Sequence, residues 1–208
     1  VGHADLAADA PRLTRKGQAT RDRIVSAAAA QMFARGVAGT SMEDVKAAAD
    51  VSSSQLYHYF VDKHALVLAV VRHQTETVLA GQESLLSNLD SVEALRAYRD
   101  FVVASQRELA CVGGCPIGTL GGELAEADPQ ARALTAEGLG RWEAGIRGGL
   151  RAMHDRGELD GDPDALALAM LAAIQGGLLL TQVRRELQPI EVALDTIIDH
   201  IAERVSAG

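Results

Sequence analysis

The chain has 208 residues, 48% of them apolar and 23% charged, and carries a formal net charge of −8. That length fills one large domain or two small ones and supplies a substantial core, while the acidic balance argues against a protein that coats nucleic acid indiscriminately. With five prolines and few clustered β-branched or aromatic residues, the periodicity favours helix almost everywhere. No segment reads as a convincing strand and no internal repeat is found, so the expected class is all-α.

The charge is unevenly placed. Residues 12 to 63 carry eight Lys/Arg against five Asp/Glu, and residues 64 to 208 carry twelve against twenty-one. A basic amino-terminal region attached to an acidic body locates any phosphate-facing surface at the amino-terminal end. Residues 1 to 17 hold Arg12, Arg15 and Lys16 without an apolar signal-peptide core; they are expected to form a flexible basic arm, and a cytoplasmic location follows.

A first helix is predicted over about Ala19 to Ala34, capped by Thr20, with Ile24, Ala27, Ala28, Met32 and Phe33 inward and Gly36 as its stop. Thr40 and Ser41 then open a helix over Met42 to Ala49, with Glu43 and Asp44 favourably in its first turn. Asp50, which tolerates left-handed geometry, ends it. Ser52 caps the next helix, Ser53 to Tyr59, whose Leu56, with Phe60, faces the core while Ser53, Ser54, Gln55, Tyr57, His58 and Tyr59 are left outside. Two short helices joined by a tight turn, with polar and aromatic groups on the second, form a helix-turn-helix with a recognition helix.

Arg21-x-x-Ile24, Ala27-Ala28, Phe33, Gly36, Thr40-Ser41, Val51-Ser52, Leu56-Tyr57-x-Tyr59-Phe60 and Lys63-x-x-Leu66 occur in order at one set of spacings. On these residues the chain resembles the TetR-family (TetR/AcrR) transcriptional regulators. The motif covers about residues 18 to 68. The resemblance implies a helix-turn-helix DNA-binding domain over 18 to 63 and a larger helical effector-binding and dimerisation domain over 64 to 208. It also implies a repressor that binds a palindromic double-stranded operator as a homodimer and is released by a small molecule. Gln55 is the best base reader, because its amide can pair with adenine at two atoms, with Ser53, Ser54 and His58 as contributors. Thr40, Ser41, Tyr57, Tyr59 and Lys63 are assigned to phosphates. Asp50 and Ser54 stand where the family commonly has glycine, and they put the operator preference in doubt.

Downstream, one long helix is expected from Asp62 toward Leu86, followed by helices at about Ser91 to Ala110, Pro116 to Ala127, Pro129 to Asp155, Pro163 to Glu186 and Pro189 to Ser206. Four begin with proline, whose missing N–H has no intrahelical partner at that position. The span Ala165 to Val183 has no charge for nineteen residues, yet Gln175, Gln182, Thr181 and Gly176-Gly177 interrupt it; a helix buried against its own domain and a partner is the simpler reading than a membrane span. The resemblance implies that the last two helices form a four-helix dimer interface, with Gly176 and Gly177 allowing close backbone approach.

The only cysteines, Cys111 and Cys115, lack a nearby histidine and form no metal site. Cys115 precedes Pro116 at a helix start, where free amides lower a thiol pKa, so a thiol redox switch stands as an alternative beside the plainer reading of two small core residues. A third reading is a helical interaction protein without DNA binding. For the effector, Phe101, Gln106, Leu120, Trp142, Ile146, Met153 and Gln175 are candidates to share an interior. Assigning Phe33, Tyr57, Tyr59 and Phe60 to the DNA-binding region leaves Tyr98, Phe101 and Trp142 for a pocket, which argues for an aliphatic or modestly polar effector. No HExxH, GxSxG, paired inward carboxylates or phosphate loop is present, so neither an enzyme nor a cofactor is expected.

Overall fold

The computed structural model describes residues 13–205, which form ten helices and no strand; one isolated bridge joins Leu159 to Val205. The first three are α1 (Arg15–Arg35), α2 (Met42–Ala49) and α3 (Ser53–Tyr59). Reciprocal capping fixes where α2 and α3 begin. Ser41 Oγ accepts from the Asp44 amide at 3.1 Å while the Asp44 carboxylate accepts from the Ser41 amide at 2.8 Å; Ser52 and Gln55 repeat the arrangement at 3.2 and 2.9 Å. Asp50 closes α2 in the left-handed region at φ 50°. Ile24, Val45, Leu56 and Phe60 then meet in one apolar cluster.

The first helix starts earlier than its periodicity suggests. Thr14, not Thr20, caps α1 by accepting from the Gly17 amide at 3.1 Å, and Thr20 turns its hydroxyl back to the Lys16 carbonyl inside the helix. Arg15, Lys16 and Gly17 are therefore helical rather than part of an arm, Leu13 and Thr14 lead directly into the helix, and residues 1–12 of the expected arm lie outside the described residues.

The expected long helix is broken. α4 runs Lys63–Ala80, Gly81 and Gln82 turn the chain, and a single turn α5 (Glu83–Leu86) follows. The turn lets Gln82, Leu86 and Leu89 point into the body, whereas a continuing helix would have carried them past it. α6 (Val92–Glu108), α7 (Pro116–Leu124), α8 (Pro129–Asp155), α9 (Pro163–Arg184) and α10 (Gln188–Ala202) complete the body. Four of these begin with proline in the first turn, and the side chains of Asp128 and Asp162 cap α8 and α9. Arg185, left-handed at φ 58°, stops α9 short of Glu186, and α10 ends at Ala202; Ser206 lies outside the described residues.

Two clusters share the interior. The amino-terminal one takes in Leu66, Val67 and Val70 from the first half of α4, and Leu120, Leu124 and Ala131 from α7 and α8. The larger one is built on α6, α8, α9 and α10 around Tyr98, Trp142, Met170 and Ile198. Helix spacing is set by glycines on α8: a Cβ on Gly138 would lie 2.7 Å from Thr75 Oγ1 of α4, and one on Gly149 would lie 2.1 Å from the Leu89 carbonyl oxygen. Replacing Gly149 by Ala should lower the unfolding free energy by about 1 to 3 kcal/mol, the usual cost of overpacking against a neighbour that cannot yield. Denaturant titration reads this directly; a variant as stable as the parent would mean the α5–α6 turn moves freely.

Candidate functional site

The outward face of α3 is a set of side chains held on one anchor. Leu56 is fully buried and fixes the helix against α1 and α4, leaving Ser53, Ser54, Gln55, Tyr57 and His58 exposed around it. Tyr57 is 51% exposed, and its hydroxyl has no partner among the described residues. Tyr59 is half-buried, edge-on to His58 with ring centroids 5.0 Å apart, and its hydroxyl lies beside Gly17 in the first turn of α1. A phenol and free helix amides thus converge at one edge of the face. Lys63 is half-buried in the first turn of α4, and the Arg21 guanidinium stacks 5.4 Å above the Phe60 ring.

Three predicted residues take on structural duties as well. Gln55 Oε1 accepts from the Ser52 amide, so its carbonyl steadies α3 and its Nε2 is the atom left for an outside partner. Ser41 shares both its amide and its hydroxyl with Asp44, whose carboxylate these bonds hold below the usual range. Thr40 corrects the sequence reading: only 1% exposed, it donates its hydroxyl to the Gly36 carbonyl at 2.9 Å and shapes the α1–α2 turn instead of facing a phosphate.

That turn is held from the body. The Glu123 carboxylate, at the end of α7, accepts from the amides of Val37 at 2.9 Å and Ala38 at 3.0 Å. Nothing in the sequence pattern marks Glu123, because its partners lie 86 and 85 residues away.

A cavity of about 530 Å³ opens at the other end of α7, among α1, α4, α6, α8 and α9. Of the predicted contacts, Phe101, Gln106 and Trp142 line it. Leu120 instead packs in the amino-terminal cluster, and Ile146 and Met153 lie deeper in the body core. Gln175 faces a separate, smaller cleft with Gly118 and Gln182. Phe33 is a further correction: it leaves the amino-terminal core, passes beneath Gly113, where a Cβ would fall 2.1 Å from its ring, and walls the cavity. Val78 and Gln82 were also missed. Gln82 could have been found from the Gly81 beside it, the only glycine in the expected long helix.

Cys115 borders the cavity and caps α7 with its sulfur, accepting from the Gly118 amide at 3.4 Å. The predicted activation is reversed: burial pushes its thiol pKa up, outweighing the bonds from Gly118 and Gln175 that favour the thiolate. Both cysteines are free and buried, and no cluster of metal-ligating side chains occurs among the described residues. The α6–α7 loop that carries them bends through left-handed residues at Ala110, Cys111, Gly113 and Gly114, and Arg185 holds it by donating to the Cys111 carbonyl at 2.7 Å.

The α9 surface is the third feature. Leu168, Leu179, Leu180 and Val183 of α9 are exposed, Val183 by 70%, as is Val192 of α10. Gly177 is used within the chain, meeting Ile190 and Ala193 of α10, whereas Gly176 has open space beside it. With a mean hydropathy of 1.8, α9 is the one helix among the described residues long and apolar enough to cross a membrane, and its inner face is packed in the body core.

Comparison with known proteins agrees at both ends of the chain. Residues 24–70 match the signature of bacterial regulatory proteins of the tetR family, and residues 91–197 match the tetracyclin repressor-like C-terminal domain. An HTH-type transcriptional regulator from the lacX 3' region of Lactococcus lactis subsp. lactis is 27% identical over 186 residues, covering 86% of this chain and 91% of that protein. The HTH-type transcriptional repressor DhaR of Mycobacterium sp. strain GP1 is 24% identical over 86% of this chain and 90% of its own length. A crystal structure of a TetR transcriptional regulator from Chloroflexus aurantiacus superposes with a TM-score of 0.78 at 28% identity, covering 94% of this chain and all of that one.

At pH 8, iodoacetamide should alkylate Cys115 in a folded Cys111→Ser protein far more slowly than in the unfolded chain, and the rate should keep rising above the pH where an ordinary thiol levels off. Fast alkylation at neutral pH would show an activated thiolate instead.

Proposed function

Because the chain belongs to the TetR family of bacterial transcriptional regulators, we propose that it acts in the cytoplasm as a one-component repressor: a homodimer holds a palindromic operator and lets go when a small molecule fills the cavity. The observation that carries this reading is the face of α3, where one buried leucine supports a row of exposed polar and aromatic groups on a basic amino-terminal region. Such a helix fits the major groove. Repression is also the activity in the name of the relative DhaR.

In this reading Gln55 Nε2, with Ser53, Ser54 and His58, meets base edges, and Ser41, Tyr57, Tyr59 and Lys63 meet phosphates. Thr40 contributes by shaping the turn that carries Ser41. The α1 amino terminus and the Tyr59 hydroxyl together suit a phosphate oxygen, since helix amides and a phenol are both donors.

Two such heads require a two-fold partner, and the exposed apolar side chains of α9 supply the surface for one. Left in water, they would form an apolar surface of a kind that monomers rarely expose. Pairing α9 and α10 with their counterparts covers it, with Gly176 at a point where two backbones can approach closely. Light scattering at micromolar concentration should give twice the 21.9-kDa chain mass, and Leu179→Asp should shift the protein to monomer without unfolding it, since Leu179 is already exposed. A monomeric parent would end the two-headed reading.

Operator recognition is tested by selecting bound sites from a random DNA pool. The parent should return an inverted repeat, and Gln55→Ala should return the same repeat with one position in each half-site relaxed by about 1 to 3 kcal/mol. An unchanged preference in the variant removes Gln55 as a reader; no enriched site from the parent removes the repressor.

A further inference from the structure

The cavity's polar groups are wired in one direction. Trp142 Nε1, which can only donate, gives its proton to the Tyr98 hydroxyl oxygen at 2.8 Å, and the Tyr98 hydroxyl donates to Gln82 Oε1 at 2.7 Å. Burial raises the Tyr98 pKa, so the phenol keeps the proton that it donates. With Oε1 occupied, the Gln82 amide is held with its nitrogen free. Gln82 is 4% exposed, it lines the cavity, and its Nε2 has no partner.

A buried amide N–H without an acceptor has given up its hydration for nothing in return, so its persistence calls for a partner. Also on the wall is Gln106, 5% exposed, whose Oε1 is likewise unpartnered and whose amide can turn to offer a donor or an acceptor. The other lining groups are apolar or uncharged: Phe33, Val78, Phe101 and Leu178 form the walls, Thr77 and Ser105 supply hydroxyls, and Gln74 supplies a further amide. Among the described residues, no Asp, Glu, Lys, Arg or His borders the cavity. A charged ligand would lose its hydration there and find no counter-charge.

Building on the effector reading above, we propose that this cavity selects uncharged, largely apolar molecules bearing a carbonyl-type oxygen, which accepts from Gln82 Nε2. The chain Trp142–Tyr98–Gln82 sets that polarity, and Gln106 supplies the second, adaptable contact. Tyr98 and Trp142 act through Gln82 and are positioning residues. The proposal separates ketones, esters, lactones and amides from the carboxylates and ammonium ions of the same shape.

Isothermal titration calorimetry of the full-length protein with four matched probes tests it: 4-phenylbutan-2-one, n-butylbenzene, 3-phenylpropanoate and 4-phenylbutan-2-amine in its ammonium form. The ketone should bind about five- to tenfold more tightly than the hydrocarbon, the worth of one neutral hydrogen bond, and both ions more weakly still. Gln82→Met should remove the ketone's advantage, with butylbenzene binding at least as tightly as in the parent. Should that variant fail to fold, Tyr98→Phe serves, since a Gln82 amide free to turn around no longer favours an acceptor and the ketone preference falls. Binding by the carboxylate or ammonium probe equal to that of the ketone, or a ketone advantage that survives the variant, overturns the carbonyl proposal while leaving the cavity an effector site. Binding by none of the four overturns the cavity reading beneath it as well.

Discussion

Glu123 is where the two halves of this protein are joined by chemistry rather than by apolar contact alone. A carboxylate accepting two backbone amides is a strong and directional contact, and here it fastens the turn after α1 to the end of α7. The opposite end of α7 begins at Cys115 and Pro116 on the cavity wall. One nine-residue helix therefore touches the cavity with its first residues and the amino-terminal domain with its last turn. Phe33 makes a second crossing, from α1 into the same cavity. A molecule entering there meets a side chain of the amino-terminal domain directly.

The helix-turn-helix was legible in the sequence because its boundaries are decided within a few residues. Ser41 with Asp44 and Ser52 with Gln55 are capping pairs three apart, and such pairs form wherever the chain goes helical. The proline starts of α7, α8 and α9 were legible for the same reason. The start of α1 was obscured by Gly17, which looks like a helix breaker but lies in a first turn held by Thr14. The break after α4 was hidden by continuous apolar periodicity, and only the pull of Leu86 and Leu89 into the body explains it.

The cavity was legible by composition and not by position. Helical spacing puts Trp142, Ile146 and Met153 on one side of α8, and all three are inward; which of them meets open space depends on where five other helices stop. Leu120 has the right periodicity and the wrong neighbour, since its face of α7 turns toward the amino-terminal cluster. The sign of the Cys115 shift was misread because a helix start was weighed without its surroundings. Desolvation of a thiolate exceeds what a few amide bonds return once the sulfur is enclosed.

The contact of Thr75 with Gly138 has a mechanical consequence. It lies twelve residues from Lys63 at one end of α4 and five from Ala80 at the other, roughly 18 and 8 Å along the axis. With only the Thr75 side chain between the helices, α4 is held close to α8 there, and a tilt about that contact would swing its ends in opposite directions. A displacement of about 1 Å at Ala80, beside Gly81 of the cavity wall, would become about 2 Å at Lys63, by the ratio of the two arms. The placement of one glycine would thus set the gain of such a lever.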